Sequence, residues 1–219
     1  MKREIIILTK SRKNGGYCVA GIDYNTSEWV RLSTGCEATL FDSTMKYSDG
    51  TSWEIFDVVE VDCNNDWNIP SYHPENITIE RDYPFVKKGS VSFDDILARG
   101  VETNNTTSIL SCPPGERVVT VDYIKQFDNP ASIQLIKVDR LEIYADGYSG
   151  KRVQRANFVF GGVKYERFSV TDLDYSSLNH NKYIGPAYLI VSRGAPFKSS
   201  FSSRKEHYSL IAKVILPNK

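Results

Sequence analysis

Glu4-Ile5-Ile6-Ile7-Leu8, then Lys10-Ser11-Arg12-Lys13-Asn14-Gly15-Gly16, then Tyr17-Cys18-Val19-Ala20-Gly21-Ile22 is the stretch on which the reading of this chain turns. An apolar β-branched run, a cationic stretch with two glycines and a second apolar run read as strand, loop and strand. Trp29-Val30-Arg31-Leu32 follows as a third strand, which makes a meander. Three cations in a glycine-bearing loop suit an anion, because each charge must stay hydrated or meet an opposite charge. Glycine there lets backbone approach a ligand closely. The same residues also suit a solvated hairpin whose cations keep a sheet edge soluble.

Strand signals continue along the chain. Glu54 to Val61 is rich in β-branched residues, and Asn76-Ile77-Thr78-Ile79-Glu80 alternates with period two. Ile133 to Tyr144 supplies two strands or one long bent strand, and 156–160, 164–170, 188–192 and 208–216 complete the set. Helix signals are few: Ser92 to Gly100 has a capping serine, early acids and a stop glycine, and Val121 to Phe127 is weaker. Many short strands with one or two short helices predict a mainly β protein of barrel or sandwich type. Residues 102–115, rich in Asn, Thr, Ser and Pro, read as a connecting segment. The expected division is therefore 1–127 and 128–219.

An internal repeat supports two similar halves. Trp29-Val30-Arg31-Leu32-Ser33 recurs as Tyr165-Glu166-Arg167-Phe168-Ser169, an offset of 167 − 31 = 136. The same offset lays Ile5 on Leu141, Ile7 on Ile143 and Ala20 on Ala156, and brings the basic stretch onto Asp146 to Arg152.

Composition narrows the function. Lys and Arg total 27 against 27 Asp and Glu, so nucleic-acid binding by a bulk basic excess is excluded and any such contact must come from local clustering. No apolar run reaches the length of a membrane helix and no targeting segment stands out, so a cytoplasmic protein without membrane contact is expected. Cys18, Cys36, Cys63 and Cys112 are scattered, with no C-x-x-C pair. No cofactor motif or metal-ligand set is visible: there is no Walker loop, no G-x-S-x-G and no H-E-x-x-H.

The run from Lys10 to Gly21 followed by Trp29-Val30-Arg31 resembles the start of the dual OB-fold-containing domain family. His73-Pro74-Glu75-Asn76, Phe168-Ser169-Val170-Thr171-Asp172, the stretch from Tyr188 to Phe197 and Tyr208-Ser209-Leu210-Ile211-Ala212 resemble its later marks. The likeness covers nearly the whole chain. It implies two OB-like small β-barrels and binding of nucleic acid or a nucleotide. Arg193 departs from the pattern, since an apolar residue is expected after Ser192.

An OB barrel holds single strands with a basic groove and aromatic stacking faces. The expected anion-binding residues are Lys10, Arg12, Lys13, Gly16, Tyr17 and Arg31 in the first half and Arg167 in the second. Arg31 and Arg167 suit either phosphate recognition or a buried ion pair. His73, Glu75 and Asp172 form an alternative set for acid–base chemistry on nucleic acid or nucleotides, provided that they converge in one pocket. A structural turn, with the His and Asn side chains capping loop backbone groups, explains His73 to Asn76 and is the favoured reading of that stretch. A third reading is a protein-interaction module whose strand edges pair with a partner.

Overall fold

The structure is a computed structural model that describes residues 1–13, 15–34, 39–64, 72–80, 85–103, 106–148, 151–198 and 203–217, without the side chains of residues 148 and 151. It divides into two compact units: Met1–Pro70 with Glu75–Val101, and Ser71–Pro74 with Glu102–Lys219.

The first unit is a closed five-stranded barrel. Its strands are β1 (Lys2–Lys13), β2 (Gly16–Asp23), β3 (Trp29–Ser33), β4 (Asp57–Asn64) and β5 (Asn76–Ile79), with β6 (Val86–Ser90) added beside β4. Closure follows from one long strand used twice. Residues 2–6 of β1 pair with β4, while residues 5–13 pair with β2. The circuit runs β1-β2-β3-β5-β4 and back to β1, antiparallel except for the parallel β3–β5 pair. Ile5, Ile7, Val19, Val30, Leu32, Val59, Val61 and Ile79 fill the interior. Leu40, Met45, Tyr47 and Trp53 join them from the irregular chain between β3 and β4, and the Trp53 ring meets Phe85 edge-on at 4.7 Å. Gly21 is fixed by close packing, since a Cβ there would overlap the Ile6 carbonyl of the neighbouring strand.

α1 (Phe93–Ala98) ends this unit. Ser92 and Asp95 form the capping box: the Ser92 hydroxyl accepts from the Asp95 N–H, and the Asp95 carboxylate accepts from the Ser92 N–H.

The second unit repeats the circuit. β7 (Val118–Thr120) and α2 (Val121–Ile124) precede β8 (Ile133–Val138), β9 (Leu141–Tyr148), β10 (Lys151–Phe160) and β11 (Val163–Val170), then β12 (Lys182–Ile184), β13 (Ala187–Arg193) and β14 (Glu206–Ile215). The order is β12-β9-β10-β11-β14-β13-β8, with β7 on β14. β8 and β9 are successive halves of one bent strand interrupted at Asp139-Arg140, so β8 on β13 and β9 on β10 do the work that β1 does alone in the first unit. The β11–β14 pair is parallel, as β3–β5 is. Val138, Leu141, Ile143, Ala156, Phe158, Tyr165, Phe168, Leu189 and Ile211 belong to its core. The chain is thus mainly β, with two OB-like barrels and two short helices.

Three sequence expectations change. Residues 102–127 pack with the second unit rather than closing the first: Ile109 and Leu110 enter its core, Glu102 bridges Leu135, and β7 pairs with β14. Apolar residues hidden in a polar stretch carry that change. Lys10 to Lys13 is strand, not loop, because pairing continues to Lys13–Gly16, and Gly15, with φ +82°, lies in the turn. β4 starts at Asp57 rather than Glu54, because Phe56 adopts φ +74°.

Candidate nucleic-acid interface

The cations of the β1–β2 hairpin are dealt to alternate faces by the strand. Lys10 and Arg12 share the face of Tyr17 and Val19, through the pairs Lys10–Val19 and Arg12–Tyr17. Arg12 is exposed. Lys10 Nζ lies 5.3 Å from the Tyr17 ring centre and 3.9 Å from Asp42. The Tyr17 hydroxyl donates to the same carboxylate at 3.1 Å, and this hydrogen bond pushes the phenol above its ordinary pKa. Lys13 is half-buried on the other face. Gly16 serves packing rather than ligand approach: a Cβ there would stand 2.5 Å from the Leu40 carbonyl, where the Tyr17–Leu40 bridge crosses.

Arg31 is not available to a ligand. Val30 and Leu32 point into the core, so Arg31 lies on the outer face of β3, yet it is 1% exposed. Ala20 opposite it and Ser33 beside it are buried as well. The outer face of β2–β3, where OB barrels take oligonucleotides, is therefore covered in the first unit.

The alternative set does not assemble. His73 belongs to the second unit and is buried, with Nε2 2.8 Å from the Arg193 carbonyl oxygen and its ring edge-on to Tyr72. Tyr72 also meets His207, whose Nδ1 lies 2.9 Å from the Gly194 carbonyl oxygen. Asp172 sits at the opposite end of β14. It accepts from the Val214 N–H at 2.8 Å, the Asp174 N–H at 3.1 Å and Lys213 Nζ at 3.1 Å. Its carboxylate pins a strand end. His207 near the start of β14 and Val214 near its end are seven residues apart by number (214 − 207 = 7), so roughly 20 Å of strand separates the two places. Glu75 lies in the first unit, where its carbonyl accepts from the Arg31 N–H at 2.8 Å. Arg193, the departure from the family pattern, is buried, and its guanidinium donates to the Leu110 carbonyl.

In the second unit the corresponding outer face is partly exposed, with Arg167 in solvent and Tyr144, Arg155, Ser169 and Tyr208 half-buried. Arg155 lies between Tyr144 on β9 and Ser169 on β11 in one rung of the sheet. Ser169 pairs onward with Leu210 of β14, and Tyr208, two residues back on the same face, lies opposite Val118. Arg117, just before β7, places its guanidinium 5.9 Å from the Tyr208 ring centre. Arg167 is exposed because β11 bulges: it takes φ +58°, and its N–H donates to Asn157 Oδ1 at 3.0 Å. Asp146 is the acid in their midst, 2.8 Å from Arg167 and 3.9 Å from Arg155 Nε. That Nε is buried and has no hydrogen-bond partner among the described residues. Burial, and then the charges of Arg155 and Arg167, hold the Arg117 guanidinium below its ordinary pKa. Arg155 and Arg167 thus share the Asp146 carboxylate, with Arg117 and two tyrosines near them and Glu206 accepting from the Tyr208 hydroxyl at 3.0 Å.

The sequence reading named Arg167 and did not name Arg117, Arg155, Tyr144 or Tyr208, which the fold brings near it. A signal for Arg155 existed: Arg155, Asn157 and Val159 alternate with Ala156, Phe158 and Phe160. Arg117 and Tyr208 come together only through the β7–β14 pairing.

Two successive barrels with this strand circuit define a tandem OB-fold protein, a class whose common role is binding. The chain belongs to the dual OB-containing domain family, which it matches over residues 3–214. No curated protein matches it. Among the described residues no helix is long and apolar enough to cross a membrane.

Proposed function

We propose that this protein binds single-stranded nucleic acid through the outer face of its second barrel. The observation that carries the reading is the gathering of Arg117, Arg155 and Arg167 on a partly exposed sheet face with Tyr144 and Tyr208, where Asp146 is the acid that pairs with Arg155 and Arg167. Guanidiniums recognise phosphate bidentately, and tyrosines give stacking faces that tolerate any base. Arg167 would exchange Asp146 for a phosphate at small cost, since an exposed ion pair is worth under about 1 kcal/mol. The β1–β2 hairpin, with Lys10, Arg12, Lys13 and Tyr17, is the first unit's own anion contact. Arg31 and Gly16 take no part, the one buried and the other packed.

The test is fluorescence anisotropy with a labelled 12-nucleotide single strand, as DNA and as RNA, over a salt series. Three phosphate contacts predict a slope of log K against log salt of about −2. Arg155→Ala and Arg117→Ala should each weaken binding about tenfold. No binding at low salt, or binding indifferent to both substitutions, would overturn the proposal.

A further inference from the structure

Beside the arginine face lies a groove of about 340 Å³, lined among others by Arg140, Glu142, Phe158, Val159, Lys164 and Tyr183. That volume is at the lower end of small-ligand sites. Tyr183 is 76% exposed, the largest exposure among the big apolar and aromatic side chains of this unit that are described. It stands directly opposite Glu142 on β9, which stands opposite Asn157 on β10. This rung is the neighbour, two residues along, of the Tyr144–Arg155–Ser169 rung. The groove therefore continues the arginine face rather than forming a separate feature.

We propose that this groove is a nucleobase pocket that selects guanine from a bound single strand. The inference rests on the reading of the arginine face as a strand-binding surface. A ring laid on Tyr183 and against Val159 has an apolar floor, while Arg140 and Lys164 at the rim suit the flanking phosphates. Selection comes from Glu142. Its carboxylate already accepts from Asn157 Nδ2 at 2.9 Å and Asn181 Nδ2 at 3.4 Å, which fixes its orientation. Each oxygen keeps further acceptor capacity and offers no proton. Guanine presents two adjacent donors, its ring N1–H and its 2-amino group, to such a pair of oxygens. Thymine presents one ring N–H flanked by two carbonyl oxygens, which a carboxylate repels. Hypoxanthine keeps the ring N–H and lacks the amino group.

The experiment uses the full chain and labelled 12-mers of thymidine in which one central residue is guanine, hypoxanthine, thymine or an abasic site. Guanine should bind about tenfold more tightly than thymine, with hypoxanthine between them and the abasic strand weakest. Tyr183→Ala, at an exposed position, should bring the guanine strand to the abasic level without changing the salt slope. Glu142→Gln should abolish the guanine advantage over hypoxanthine. Equal affinity for all four strands with the salt slope retained would overturn the pocket and leave the arginine face standing. Absence of binding to every strand would overturn both.

Discussion

Arg31 and Arg167 occupy the same place in a repeated sequence pattern and meet opposite fates. In the first barrel β3 runs without interruption, Val30 and Leu32 face inward, and Arg31 lies outward under cover. In the second barrel Tyr165 and Phe168 both face inward, three residues apart, which an unbroken strand cannot arrange. The bulge at Arg167, capped by Asn157, absorbs the extra residue and leaves the guanidinium in solvent. A one-residue slip in register would otherwise turn every side chain to the wrong face. The same motif thus supplies a buried structural cation in one barrel and a surface cation in the other.

The sharpest way to break this comparison is at position 21 and its counterpart at 157. Gly21→Val forces a side chain into the Ile6 carbonyl and should cost the first unit about 3 kcal/mol or more. Asn157→Ala should cost about 1 kcal/mol, the price of the bulge hydrogen bond. Denaturant unfolding followed by tryptophan fluorescence checks the first, because all three tryptophans (29, 53 and 67) precede residue 70. Comparable in size with Gly21→Val, Arg31→Ala should destabilise by about 2–4 kcal/mol through loss of a buried charged side chain. Arg167→Ala should change stability by less than about 1 kcal/mol, since its pair with Asp146 is exposed, and should act on strand binding instead.

Acid should separate the two units. In the first, burial alone would raise the Asp57 carboxyl, but Lys87, Tyr47, the Glu54 N–H and Ser90 outweigh it and hold the pKa below 3.8. That stability is present above pH 3.8 and is lost as pH falls through the lowered value. In the second, burial holds the His207 pKa below 6.5, so the folded unit keeps a neutral ring that the unfolded chain protonates. Stability from that source is complete above pH 6.5 and is lost as pH falls from there towards the lowered value. Circular dichroism and tryptophan fluorescence should therefore part on acidification, the second unit weakening first. His207→Asn should narrow the gap. The smallest effect is expected from Lys13→Glu in the hairpin: stability within about 0.5 kcal/mol of the native chain by thermal unfolding, and binding weakened only a few-fold.

Much of the fold was legible because β-branched runs, alternation and the 136-residue repeat are local signals. Ile5, Val19, Leu32, Phe158 and Phe168 fall in strands expected from those signals, and the structure places all five in a core. The capped helix after Ser92 was legible for the same reason. Residues 102–127 were not, since their few apolar side chains are diluted by Asn, Thr and Pro and reveal themselves only by packing on β8 and β14. Of the candidate interface, Arg167 could be seen from the repeat. Arg117 and Tyr208, 91 positions apart (208 − 117), could not, because a strand pairing with no local signature brings them together.

Residue types and their spacing by themselves determined that this chain is mainly β in two similar halves and that a neutral total charge restricts any anion site to a local cluster, while the resemblance of its motifs to the family implied that the halves are OB-like barrels. Only the tertiary structure decided which cations form that cluster. Whether an arginine on a strand meets water depends on the register of its neighbours and on what lies over its face, and both are set by contacts distant in sequence.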